Sequence, residues 1–438
     1  MVAVEAFLTA YDPSDLPASS IDPLGFDRGY MWLAEKLLPG LTNVAAEPRY
    51  FGLLSAGALL GTEIGGESRQ AQYRRRLEVV LRLERFWVLA NVLAESEELP
   101  VYGVRGVLRT REFRERLEER GAKATDVNFQ MLSRQVPYGG IGIYGAVADG
   151  MRIWDRKELA LSPGLGVPLG EAFIEETGMP PKLRKVARDG GEVSLKLLRE
   201  WGEAAHNALP VTAGEARCLW DAANRDEVRA RMLALLWEHP GDPADELGWL
   251  AGLEEATEGD EGAVDLREAM TAIRFFEAAY QWALLGFERV LWQCRSISGG
   301  MVKRQALAAD AVLQEAFDRL PPAAVRFEQA VQKGTTAHFR EGAERVRDIR
   351  EFFAKAAGTA DPLAFVDVLL ARHEQVQRGK FDNGRPKMPW VAPRDGGVAL
   401  SMTQVGGLSD EPVEPAQIRP HQYRLGSATR LNYAARRA

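Results

Sequence analysis

Apolar residues return every three or four positions along much of this chain, and that rhythm predicts helices. From Arg69 to Ala94, Tyr73, Leu77, Val80, Leu81, Val88 and Leu89 keep the interval while Arg74, Arg75, Glu78 and Arg82 take other faces, as in one long amphipathic helix. Tyr30, Leu33, Leu37 and Leu38 keep it up to Pro39-Gly40, which ends a shorter helix. Arg111 to Arg120 reads as a charged helix, Gly139 to Trp154 as another, Asp155 to Ser162 as short and mixed, and Leu165 to Glu176 as helix again. Residues 201–378 read as helical almost throughout. Within them Phe339, Ala343, Val346, Ile349 and Phe353 predict a solvated helix with one buried stripe. Asp361 before Pro362 supplies an N-cap and a first-turn proline, and Gly379 a C-terminal stop, framing a helix over Leu363 to Arg378.

Beyond Gly379 the texture changes. Pro386, Pro389, Pro393, Pro412, Pro415 and Pro420 argue against long helices and predict an extended arm with one hairpin around Val398 to Met402. The expected fold is mainly α and multi-domain: a helical region over 1–125, a separate region over 126–200, a helical domain over 201–378, and a Pro/Gly-rich basic arm over 379–438. A length of 438 residues fits that division, since single cores seldom exceed about 100–200 residues.

Composition adds little about partners until it is read locally. Hydrophobic residues at 46% and charged residues at 27% are ordinary for globular chains, and a net charge of −7 excludes a wholly basic nucleic-acid coat. The segment 241–268 carries ten acids against Arg267, whereas 372–438 carries eleven bases against six acids. Two cysteines, Cys218 and Cys294, make neither a disulfide framework nor a zinc site and suit a reducing, cytoplasmic compartment. Met1 to Asp12 lacks the basic start of a secretory signal, and Arg82, Glu84 and Arg85 interrupt the most apolar helix, so no membrane association is expected.

Candidate chemistry is sparse. Gly140-Ile141-Gly142-Ile143-Tyr144-Gly145 matches the G-x-G-x-x-G phosphate loop, but Arg134 to Tyr138 before it is polar and broken by Pro137, where a dinucleotide fold needs a hydrophobic strand. None of the kinase motifs V-A-I-K, H-R-D or D-F-G follows. These glycines are read as permitting close helix packing, and no cofactor is expected. The histidines at 206, 239, 338, 373 and 421 show no H-x-x-x-H spacing, so no metal site is expected, and His373 before Glu374 reads as a cation near a helix C-terminus. Arg74-Arg75-Arg76 point about 100° apart on a helix and make no single face. Over Pro181 to Arg199 six bases face two acids, which makes Lys182, Arg184, Lys185 and Arg188 candidates for phosphate contact; the competing reading is a solvated face. Most of the ten tryptophans fall within helical periodicity and read as core. Trp390 is different, because with Lys387 and Arg394 it lies in the basic arm and forms a candidate partner-binding element, the competing reading being a tail folded back on its own helices.

Leu159 through Phe173, with Ser162-Pro163-Gly164 at its centre, resembles the strand-to-helix joint of winged-helix domains, which bind duplex DNA or other proteins. Leu37 to Asn43, Arg49-Tyr50-Phe51, Leu161 to Gly164, His373 to Gln377 and Pro389-Trp390 together resemble a group of uncharacterised bacterial proteins encoded among anti-phage defence genes, beside helicases or nucleases. That group brings no catalytic residues. The resemblance implies a non-catalytic subunit of a DNA-directed defence assembly that contacts duplex DNA, a motor or a nuclease partner through the winged-helix-like region and the basic arm, with the acidic segment as a further docking element. The alternatives are a metal-dependent nuclease whose acids converge from separate helices, and a helical adaptor without DNA contact.

Overall fold

Nineteen α-helices and four small sheets carry the chain in the computed structural model, which describes residues 22–62, 68–297, 300–382, 384–401 and 411–437. The described residues divide into two units. One comprises Leu38–Pro243 with 424–437; the other comprises 22–37 with Ala244–Tyr423. The described residues begin in the second unit, with α1 (Asp27–Leu37), and then build the first. There α2 (Arg49–Leu60), α3 (Arg69–Ala94), α4 (Val107–Glu119), α5 (Gln135–Tyr138), α6 (Gly140–Gly150), α7 (Gly166–Glu176), α8 (Pro181–Asp189), α9 (Leu195–Ala204), α10 (Ala213–Ala223) and α11 (Glu227–Glu238) follow in order. Two-residue antiparallel pairs join β1 (Ala124–Thr125) to β4 (Val193–Ser194) and β2 (Trp154–Asp155) to β3 (Ala160–Leu161).

The second unit continues with α12 (Glu246–Ala256), α13 (Val264–Ser296), α14 (Arg304–Ala308), α15 (Ala311–Lys333), α16 (Ala337–Arg340), α17 (Arg347–Ala357) and α18 (Pro362–Arg378). Its strands are β5 (Met301–Lys303), β6 (Phe381–Asp382), β7 (Arg385–Pro386), β8 (Val391–Arg394) and β9 (Gly397–Leu400), with β9 between β5 and β8 in an antiparallel sheet. The final helix, α19 (Leu425–Ala435), belongs to the first unit.

Helix α3 spans the limits its periodicity predicts, because its start is local: the Ser68 hydroxyl accepts from the Ala71 N–H at 3.3 Å. Its second half is apolar nearly all round, with Phe86, Trp87, Val88, Leu89 and Ala90 wholly buried, and α2 and α9 pack against it. Gly57 lets α2 approach, since a Cβ there would lie 2.8 Å from Val80 Cα. In the second unit α13 is the central helix, packed by α15, α1 and α18, and Phe276 joins Phe26, Phe327, Phe352 and Phe353 in an aromatic cluster of edge-to-face, tilted and stacked pairs. The cap on α18 is as expected: Asp361 accepts from the N–H groups of Leu363 and Ala364, both at 2.9 Å. No helix is long and apolar enough to cross a membrane among the described residues.

Two expectations are corrected. The stretch from Phe339 to Phe353 is broken: α16 ends at Arg340, Gly342 takes a left-handed φ of 76°, and a 3-10 turn leads into α17. The Glu341 carbonyl accepts from the Trp32 indole at 3.1 Å, while Phe339, Val346, Ile349 and Phe353 all stay buried, so the apolar phase survives the break. The segment after Gly379 is likewise built into the fold and does not stand off as an extended arm. Its hairpin, β8 and β9, completes the sheet with β5, and Tyr423, Leu425, Ala428, Leu431 and Ala435 are buried; Met402 lies outside the described residues.

Candidate nucleic-acid interface

Helix α8 begins with Pro181 at its first turn and stops at Gly190, whose φ is 85°. Leu183, Val186 and Ala187 form its buried face, which leaves Lys182 and Lys185 exposed. The Arg82 guanidinium, from α3, donates to the carbonyls of Ala187 and Arg188 at 2.8 and 3.1 Å and so closes the C-terminal end of α8 with a positive charge. Asp189 is held below the usual carboxylate range by its hydrogen bond from Arg188, with the charges of Lys185 and Arg75 adding to the effect. The neighbouring Arg74 is exposed, whereas Arg76 is buried, donating to Thr62 Oγ1 at 3.0 Å and to the Glu158 carbonyl at 3.1 Å.

The four bases named from the sequence are therefore not equivalent. Lys182 and Lys185 project into solvent, while Arg184 turns back to donate to the Met179 carbonyl at 2.9 Å and Arg188 pairs with Asp189 at 3.0 Å. The two-residue strands β2 and β3, followed by a turn in which the Ser162 hydroxyl accepts from the Gly166 N–H at 3.1 Å, stand before α7 where the winged-helix-like joint was read. At Gly140–Gly145 the first turn of α6 is occupied by the protein's own carboxylate: buried Glu84 accepts from the Gly140 N–H at 2.6 Å and from Gln135 at 2.7 Å. A Cβ at Gly140 would sit 2.9 Å from the Tyr50 ring, so this glycine serves packing.

Lys387, Trp390 and Arg394 do not form one open surface. The Trp390 N–H donates to His373 Nε2 at 2.9 Å, and its ring lies 5.1 Å from that of His373 and 6.2 Å from that of Phe287. It is a wedge on α13 and α18. Lys387 is half-buried; Arg394, at the end of β8, is exposed. His373 is not a helix-end cation: it is wholly buried, with Nδ1 2.9 Å from the Pro23 carbonyl, and burial pushes its pKa down to about 4, leaving it neutral. Much of the acidic segment is also engaged internally. Asp245 caps α12 through Gly248, Glu254 binds Thr271 and Arg274, and Glu268 accepts from the hydroxyls of Thr335 and Thr336.

The arrangement closest to a catalytic constellation is built on Glu277 of α13. This buried carboxylate accepts from Tyr423 Oη at 2.5 Å and faces His421 Nδ1 at 2.8 Å, while Asp27 lies 3.9 Å from His421 Nε2. Burial alone would lower the His421 pKa; the Glu277 contact, with the charges of Asp27 and Asp22, outweighs it and raises it. Among the described residues no group of three or more His, Cys, Asp or Glu side chains is placed to hold a metal ion.

Sequence reasoning missed a cluster in the first unit that joins α10, α11 and α19: Trp220, Trp237, Tyr433, Arg436 and Arg437. The spacing of Arg430, Tyr433 and Arg437 is helical and was readable, but the prolines before it argued for an extended chain. Comparison of the chain with models of protein families, with curated proteins and with solved structures gives no match.

Proposed function

We propose that this chain is a non-catalytic, DNA-contacting subunit of a multi-protein assembly, of the kind found in bacterial anti-phage defence. One observation carries the reading: Lys182 and Lys185 stand exposed on α8, which packs on α3, and Arg75 of α3 is close enough for its charge to act on Asp189 at the end of α8. Such cations suit phosphate oxygens and give orientation without sequence choice. The winged-helix-like joint and a motor or nuclease partner belong to the same proposal.

Fluorescence anisotropy of a labelled duplex titrated with the whole protein across a salt series tests this. K182A/K185A is expected to make the slope of log affinity against log salt shallower by about 2, because each lost phosphate contact removes about 0.9 from it. Arg184→Ala is expected to change that slope less than the lysine pair does, since the Arg184 Nε–H is held on the Met179 carbonyl and the side chain is only half-exposed. A wild-type protein that ignores duplex DNA at low salt overturns the proposal and leaves the adaptor reading.

A further inference from the structure

Helix α19 is asymmetric in a way that burial in the fold does not require. Leu425, Ala428, Leu431, Asn432 and Ala435 are buried, whereas Arg430 and Tyr433 are exposed, Arg437 is exposed in the turn just after the helix, and no acid occurs from 425 to 437. Tyr433 is 50% exposed and Trp237 of α11 is 47% exposed. Isolated exposed aromatics are unremarkable, but these two are joined by cations. The Arg436 guanidinium lies 4.9 Å from the Trp220 ring and 4.6 Å from the Trp237 ring, and the Arg437 guanidinium lies 4.5 Å from the Tyr433 ring. Arg436 is fixed further by its Nε–H, which donates to Asn432 Oδ1 at 3.2 Å, and Arg437 by a bond to Tyr433 Oη at 2.6 Å.

From this juxtaposition we infer a second contact surface, formed by Trp237, Tyr433, Arg436 and Arg437, that takes an unpaired nucleic-acid strand. The inference rests on the DNA-contact reading and gives it a second ligand class. A guanidinium stacked on a ring keeps N–H donors at its edge, in a planar fork that matches phosphate. Half-exposed rings beside such forks offer stacking to bases of any identity. An unpaired strand presents phosphates and π-faces in alternation, as this surface presents cations and rings; a duplex hides its base faces. An acidic protein would also satisfy the arginines, but it presents no run of π-faces to the half-exposed rings, and competition with poly-glutamate separates the two. Glu238 and Asp221 adjoin the two tryptophans in sequence, and the charge of Arg430 acts on buried Glu47, so the cations left to this surface are Arg436 and Arg437.

The test is anisotropy of a labelled twenty-nucleotide oligo-dT and of a duplex of equal length, with the whole protein, W237L/Y433L and K182A/K185A. Leucine keeps apolar bulk and removes the π-face. Circular dichroism melting confirms folding; Tyr433→Leu alone, at a half-exposed position, serves if the double variant fails it. The expected result is oligo-dT binding weakened about five- to a hundredfold in W237L/Y433L, with duplex binding unchanged, and the converse in K182A/K185A. Oligo-dT binding unaltered by the leucine variants overturns the inference, as does displacement of oligo-dT by poly-glutamate at equal charge concentration, which would assign the surface to an acidic protein. Wild-type protein that does not bind the duplex, while its oligo-dT binding is present and sensitive to W237L/Y433L, refutes the α8 reading and leaves this one standing.

Discussion

His373 has both ring nitrogens engaged, one with the Pro23 carbonyl and one with the Trp390 N–H, and no room to gain a proton without losing one of those bonds. Its pKa of about 4 in the fold, set first by burial and then by the Lys380 charge, lies below the roughly 6.5 of an unfolded histidine. The unfolded chain therefore takes up a proton first as the pH falls, and stability is lost between pH about 6.5 and about 4. Between pH 7 and pH 4.5 the loss from this residue is expected to be about 2–3 kcal/mol. Urea unfolding of wild type and H373Q at the two pH values measures it: the variant should lose less than wild type, and equal losses would show that His373 is not held neutral. His421 runs the other way, since its raised pKa contributes stability that is complete below the unfolded value and fades as the pH rises through the folded one. Neither state was legible in the sequence. His373 followed by Glu374 looks like a helix-end cation until Pro23, 350 positions away, is placed against it.

At the scale of elements, local chemistry was readable and long-range chemistry was not. The start of α18 is set by Asp361 alone, which satisfies two N–H groups that the helix itself leaves open. Replacing it with alanine is expected to cost about 1 kcal/mol, and with asparagine much less, as read from the denaturant midpoint; an unchanged midpoint in D361A would mean that the cap is dispensable. The limits of α3 were legible for the same reason, a serine cap followed by an uninterrupted period. The break at Gly342 was hidden because the apolar phase continues across it, and the deciding contact comes from Trp32. On α8 the density of bases was plain, but the partition was not. Whether an arginine faces solvent or folds back on a carbonyl depends on the turn at Met179 and on the position of Asp189.

For the whole molecule, chain order and spatial grouping diverge, and this changes what a tail deletion means. The sequence suggests a removable arm from residue 379, whose loss would report on partner contacts. In the fold, Arg424 donates to the Leu38 carbonyl at 3.0 Å, Ser427 to the Thr42 carbonyl and Asn432 to the Leu233 carbonyl, both at 2.7 Å, all inside the first unit. Leu425 and Leu431, exposed by 0% and 4%, add about 1.5–3 kcal/mol each through burial. Removing 424–438 is therefore expected to lower the melting temperature and open an apolar surface to a dye such as ANS, whatever the tail does for binding. Calorimetry of the truncated chain decides this: a melting curve matching the full chain would mean that α19 adds nothing to that core. If the curve shifts as expected, lost binding after truncation reports on folding, and only surface changes such as W237L/Y433L isolate the contact itself.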